Sequence, residues 1–91
     1  GVVGLVKSLA GELGRAGITA NAIAPGSTQT AILQASADVY DLESTDEFAI
    51  HHVTRRIIAP EEIAGAVAFL CGPSASSITG TVVPVDGGMT I

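Results

Sequence analysis

Cysteine is nearly missing from this chain, positive charge is scarce, and no long apolar run occurs. A single cysteine, Cys71, among 91 residues excludes a disulfide framework and any metal site built on several thiolates. Four lysines and arginines against nine acidic residues leave a net charge of −5, which argues against a nucleic-acid or anionic-membrane surface. No segment approaches the ~20 consecutive apolar residues of a membrane-spanning helix. Nothing near Gly1 joins a basic stretch to an apolar core and a small-residue cleavage site, so no signal peptide is read there.

What the chain does contain is apolar. Hydrophobic residues make up 47%, with 11 glycines besides, while charged residues are 14% against roughly 25% in an average soluble domain. That composition excludes intrinsic disorder. It is also too greasy for a free-standing domain of this size, because a short chain has much surface for its volume. The expectation is that another protein surface covers it, or that it is one piece of a larger fold. It opens at Gly1, and Met89 is its only methionine; a cleaved leader or trimming would explain that equally well.

Residues 1–14 predict a helix. Val2, Val6, Leu9 and Leu13 recur at the spacing of one buried face, while Gly4, Ser8 and Gly11 line a second face with small residues. Glycine inside a helix costs about 1 kcal/mol relative to alanine, so the stripe is either loose construction or a place where another backbone comes close. After a turn at 14–17, Ile18–Ala24 reads as a strand buried on both faces, stopped by Pro25-Gly26. A helix is expected over 31–39. Ser44-Thr45-Asp46-Glu47 has the form of a capping box opening a third helix that runs to about Val53, with Phe48 as its anchor. The next helix begins at Pro60, carries Glu61 and Glu62 at its positive end, turns Ile63, Val67 and Leu70 to one side, and stops at Gly72-Pro73. A polar loop at 74–77 leads to a last strand over 80–85, where Pro84, lacking an amide hydrogen, belongs at an edge. Helix, strand, helices, strand is the alternation of an α/β protein with a parallel sheet. Two such strands do not make a stable sheet alone, so the remainder is expected upstream of Gly1.

In open α/β sheets ligands bind outside the carboxyl ends of the strands. The segment that leaves the first strand there, Pro25-Gly26-Ser27-Thr28-Gln29-Thr30, offers a glycine that would let a ligand approach the backbone, three hydroxyls and a carboxamide. It could hold a neutral amide such as that of nicotinamide; equally, it could be a turn in which Thr28 or Thr30 caps the next helix. Other candidates are weaker. The adjacent His51 and His52 would point about 100° apart in a helix, which favours a surface or lid role over metal ligation. Ser27, His51 and Asp86 lack the Gly-x-Ser-x-Gly elbow of a hydrolase. Cys71 reads as a small buried side chain and Asp86-Gly87-Gly88 as a turn. No glycine-rich phosphate loop is present. No catalytic and no metal-ligating residue is therefore assigned.

The ordered set Asn21-Ala22-Ile23-Ala24-Pro25-Gly26, Thr30, Pro60-Glu61-Glu62-Ile63-Ala64, Thr79-Gly80 and Val85-Asp86-Gly87-Gly88 resembles the C-terminal third of short-chain dehydrogenases/reductases. The opening Gly-Val-Val-Gly-Leu resembles the helix bearing that family's Tyr-x-x-x-Lys pair, entered just after the lysine. The resemblance implies a Rossmann-type doubly wound sheet and hydride transfer between NAD (or NADP) and a small-molecule alcohol or carbonyl substrate. It implies cofactor contacts from Pro25, Gly26, Ser27, Thr28 and Thr30, with the Thr28 amide on the carboxamide and the Thr30 hydroxyl beside it. Residues from about 27 to 57 would supply a mobile lid. The first helix and last strand would join a homodimer or homotetramer of a cytoplasmic alcohol dehydrogenase. The Pro-Gly-Ser-Thr-Gln-Thr-Ala-Ile-Leu run and the stretch from Tyr40-Asp41-Leu42 to Phe48-Ala49 resemble the mycofactocin-associated, carveol-dehydrogenase-like members, with a firmly held NAD.

The departure from that family is large. The glycine-rich loop and the catalytic serine, tyrosine and lysine are missing; the only tyrosine, Tyr40, has Ser44 four residues on. These 91 residues alone are expected to lack dehydrogenase activity. The competing expectation is a truncated interaction module that oligomerises with full-length relatives.

Overall fold

The computed structural model describes residues 1–28 and 49–91. The first helix, α1 (Val2–Leu13), continues into a 3-10 turn over Gly14–Ala16 and is ended by Gly17, whose φ of 77° lies in the left-handed region where a Cβ is costly. Strand β1 (Ala22–Pro25) follows, then helix α2 (Pro60–Leu70), a 3-10 turn over Pro73–Ala75 and strand β2 (Val82–Val85). The strands pair in parallel, with Ala22 opposite Val82 and Pro25 opposite Val85. Proline stands at the first turn of α2 and the two glutamates follow it, as its dipole requires.

The strand-entry end is built by two side chains, Asn21 and Thr79. Asn21 donates from Nδ2 to the Ile78 carbonyl at 2.9 Å and accepts the Thr81 amide at 3.2 Å. Beside it the Ala20 amide donates to Thr79 Oγ1, and the Gly80 amide to the Ala20 carbonyl. Both strand entrances are thereby locked in register before the ladder starts. This explains why β1 is shorter than the apolar run. Residues 18–21 spend their polar groups on these cross-links and on the helix end, leaving Ile18 exposed, and the ladder runs one residue further than expected, through Pro25. Pro25 can do so because it needs no amide there: the next donor, Gly26, continues to the Val85 carbonyl. Nor is β1 buried on both faces; Ala22 and Ile23 are half-buried and Ala24 and Pro25 exposed. The last strand is likewise shorter than the expected 80–85, and Pro84 is exposed, opposite Ala24.

Other expectations are corrected as well. The helix foreseen to reach Val53 is, in its described part, a 3-10 turn at 49–51, closed by the His52 amide on the Ala49 carbonyl. The supposed polar loop at 74–77 contains Ala75, at 1% exposure one of the most buried residues. Cys71 is exposed rather than buried, because α2 ends there and its last turn is uncovered. On α1 the buried positions are Val6 and Ala10, while Val2 and Leu9 are exposed. The predicted helix over 31–39 and the capping box at Ser44–Glu47 lie outside the described residues. Among the described residues, buried apolar side chains are few: Val6, Ala10, Ala49, Ile58 and Ala75. Val2, Val3, Leu5, Val67 and Phe69 stand exposed on the helices, so the hydrophobic excess of the sequence appears as uncovered helix faces.

Candidate functional site at the strand exits

Beyond Pro25 the chain leaves the sheet as a tightly held loop. The Gly26 amide reaches the Val85 carbonyl at 3.0 Å, and the Ser27 carbonyl accepts the Ile58 amide at 2.9 Å, alongside a parallel bridge between Thr28 and Ile58. Thr28 Oγ1 folds back and donates to the Gly26 carbonyl at 3.0 Å. Pro25, Gly26, Ser27 and Thr28 therefore stand together at the carboxyl end of β1, with Gly26, Ser27 and Thr28 half-buried. Thr30, the fifth expected contact, lies outside the described residues. A Cβ on Gly26 would sit 2.9 Å from the Asp86 Cα and 2.9 Å from His52 Nε2, so the space is taken by the chain itself.

His52 is what holds the loop from the other side. Read in the sequence as having a surface or lid role, it is not at the surface: it is 1% exposed, because the 49–58 segment folds its ring in between the exits of the two strands. The Ser27 amide donates to Nε2 at 3.1 Å, and Nδ1 lies 2.7 Å from the Arg56 carbonyl. An amide can only donate and a carbonyl only accept, so Nε2 carries the lone pair and Nδ1 the proton: the ring is neutral and its tautomer is set by its partners. Its neighbour His51 is exposed. Arg55, with φ 57°, turns the chain after His52, and Arg56 meets Glu62 of α2 at 2.7 Å in an exposed ion pair.

The exit of β2 is a second rigid turn. The Asp86 carboxylate accepts the Gly88 amide at 2.9 Å and the Thr90 hydroxyl at 2.6 Å. The Thr90 hydrogen bond holds the Asp86 carboxyl below the usual aspartate value; its partial desolvation opposes this, and the Gly88 amide adds to the lowering. Gly87 (φ 60°) and Gly88 (φ 84°) occupy left-handed backbone, and a Cβ on Gly87 would strike Thr54 Oγ1 at 2.7 Å and His52 at 3.0 Å. This turn is thus a fitted wall for the 52–54 segment, whose Thr54 amide donates to the Gly87 carbonyl.

The described loop carries the Ser27 and Thr28 hydroxyls and no charged side chain, while its Gly26 and Ser27 amides are already bonded to Val85 and His52. A cavity of 270 Å³ lies elsewhere, toward the amino end of β1, lined by Thr19, Ala20, Asn21, Ile23, Val67, Leu70 and Cys71, and shares no residue with the loop. Sequence reasoning missed His52 and the structural weight of Asn21 and Asp86. The one signal for His52 was indirect: glycines at 26, 87 and 88 mark strand exits where something bulky has to fit.

Comparison with known proteins covers almost the whole chain. A family model described as enoyl-(acyl carrier protein) reductase matches residues 1–90. The 3-oxoacyl-[acyl-carrier-protein] reductase MabA of Mycobacterium tuberculosis is 41% identical over 90 residues, 98% of this chain and 34% of that protein. The ligand-free aldohexose dehydrogenase of Thermoplasma acidophilum superposes with a TM-score of 0.90 at 34% identity, over 98% of this chain and 37% of that one. A blue fluorescent protein from a metagenomic library, in complex with NADPH, superposes with a TM-score of 0.85 at 36% identity, over 99% of this chain and 34% of its own. The chain spans about a third of the length of the relatives it matches.

Proposed function

Because the chain belongs to the short-chain dehydrogenase/reductase family, we propose that it is the C-terminal portion of a single Rossmann-type domain in an NAD(P)-dependent oxidoreductase acting on an alcohol or carbonyl substrate. The observation that carries this reading is the loop Pro25–Thr28, fixed outside the carboxyl ends of two parallel strands by Val85, His52 and Ile58. A nicotinamide bound there would supply the hydride acceptor or donor. The chain's own part is to present the Thr28 amide to the ring's carboxamide, to keep the Pro25-Gly26 turn against its face, and to add the Thr30 hydroxyl. Residues to about 57 serve as the lid over the substrate. The general acid/base tyrosine and its lysine belong to residues before Gly1 in this reading. The cofactor is supported by the NADPH held in the similar metagenomic protein; NAD remains the preferred nucleotide through the likeness to mycofactocin-associated members, which also implies a cofactor that stays bound on purification.

The uncovered apolar face of α1 supports a place in a homodimer or homotetramer, and equally supports the second reading, a non-catalytic module that pairs with full-length relatives. No helix among the described residues is long and apolar enough to cross a membrane. The test is to express the complete reading frame and titrate it with NADH and NADPH. Saturable binding, weakened by Thr28→Pro, which removes the amide, and an in-frame Tyr-x-x-x-Lys just before Gly1 are expected. Failure to bind either nucleotide overturns the proposal.

A further inference from the structure

We infer that His52 is the positioning residue of the cofactor loop: its neutral imidazole, wedged between the exits of both strands, sets where the Ser27 and Thr28 backbone stands. The inference rests on the reading of Pro25–Thr28 as the nicotinamide-contacting loop. The ring is 1% exposed, so its two hydrogen bonds have no solvent substitute. One goes to the loop (Ser27 amide to Nε2, 3.1 Å) and the other to the segment entering α2 (Nδ1 to the Arg56 carbonyl, 2.7 Å). The imidazole is rigid, so the distance between those two backbones is set by the ring and its two hydrogen bonds. Space for it is made by two glycines on two different strand exits: Cβ atoms would fall 2.9 Å from Nε2 at Gly26 and 3.0 Å from Nδ1 at Gly87. The slot and the ring fit as a unit, and the residue adjacent to the bonded Ser27 amide is Thr28, the proposed carboxamide donor.

The test uses the product of the complete reading frame, wild type, His52→Phe and His52→Gln, titrated with NADH and NADPH by nicotinamide fluorescence and followed by thermal unfolding. Phenylalanine keeps the ring and removes both hydrogen bonds; glutamine offers an acceptor and a donor at about the spacing of the ring nitrogens. His52→Phe is expected to weaken nucleotide binding about tenfold and His52→Gln to remain within about threefold of wild type. In wild-type protein, ¹⁵N correlation of the histidine rings is expected to show His52 as the Nδ1–H tautomer. This last measurement judges the inference even if His52→Phe does not fold, since an Nε2–H tautomer overturns it. Wild-type affinity in His52→Phe, or equal losses in both variants, also overturns it. Wild-type protein that binds neither nucleotide refutes the cofactor reading of the loop and this inference with it, whereas binding that His52→Phe leaves intact refutes only the role of His52.

Discussion

Replacing Gly26 by alanine puts one methyl group where the structure has no room. The added carbon would lie 2.9 Å from the Asp86 Cα, 2.9 Å from His52 Nε2 and 3.1 Å from the Asp86 carbonyl oxygen. Carbon contacts settle at about 3.5–4.0 Å, so relief needs a shift of roughly 0.6 Å. Two of the three opposing atoms are backbone at the exit of β2, held by the Gly26 amide on the Val85 carbonyl. The loop must therefore move, and the 3.1 Å bond from the Ser27 amide to His52 opens. Overpacking of this kind costs about 1–3 kcal/mol, and the opened bond about 1 kcal/mol more. The reduced freedom of the unfolded chain returns about 0.4–1 kcal/mol, since Gly26 is not in left-handed backbone. A net loss of about 1–3.5 kcal/mol is expected in urea unfolding of the complete protein, together with weaker nucleotide binding. Gly14→Ala is the matched control, since nothing lies within 4 Å of its Cβ position and its φ of −58° is helical. If Gly26→Ala costs no more than Gly14→Ala, the account of the strand exits is wrong.

Removing the Asn21 side chain deletes its two cross-links to Ile78 and Thr81 and leaves those of Ala20, so Asn21→Ala is expected to lose about 2 kcal/mol in the same unfolding assay, and an unchanged midpoint would refute its bridging role. Asp86 binds fewer protons folded than unfolded, because its folded value is lowered. Its contribution is thus present above the ordinary aspartate value of 3.8 and is lost as pH falls through the lower, folded one. The stability gap between wild type and Asp86→Asn should narrow over that acid window, and a gap that persists through it would sink the assignment. The Arg56–Glu62 pair is exposed on both sides, at 57% and 38%. Glu62→Gln is accordingly expected to change stability by under about 1 kcal/mol, less in high salt, and a larger loss would show the pair to be part of the site.

Both helices, the parallel order of the strands and the position of the Pro-Gly loop could be read from the chain because their signals are local. Pro60 with Glu61 and Glu62 announces a helix start within one turn, and Gly17 and Gly72-Pro73 announce stops. The limits of the strands could not be read so. Ile18 to Asn21 are as strand-like as Ala22 to Ala24, but residues some 60 positions away claim them: Asn21 is bonded to Ile78 and Thr81. His52 was misread for the same reason. An adjacent pair of histidines carries no local mark of burial, and the slot that takes the second one is formed by glycines at 26 and 87.

Composition and nearest-neighbour spacing were enough for the α/β class and for a loop leaving the first strand at Pro25-Gly26, and the ordered motifs were enough for the family resemblance, because each depends on contacts within a few residues or on the sum of the side chains. Which histidine is buried, why Gly26 tolerates no side chain and where the ladder ends depend on surfaces brought together from distant segments. Those contacts exist only when two strand exits, and the turn between 49 and 58, occupy the same few ångströms of space.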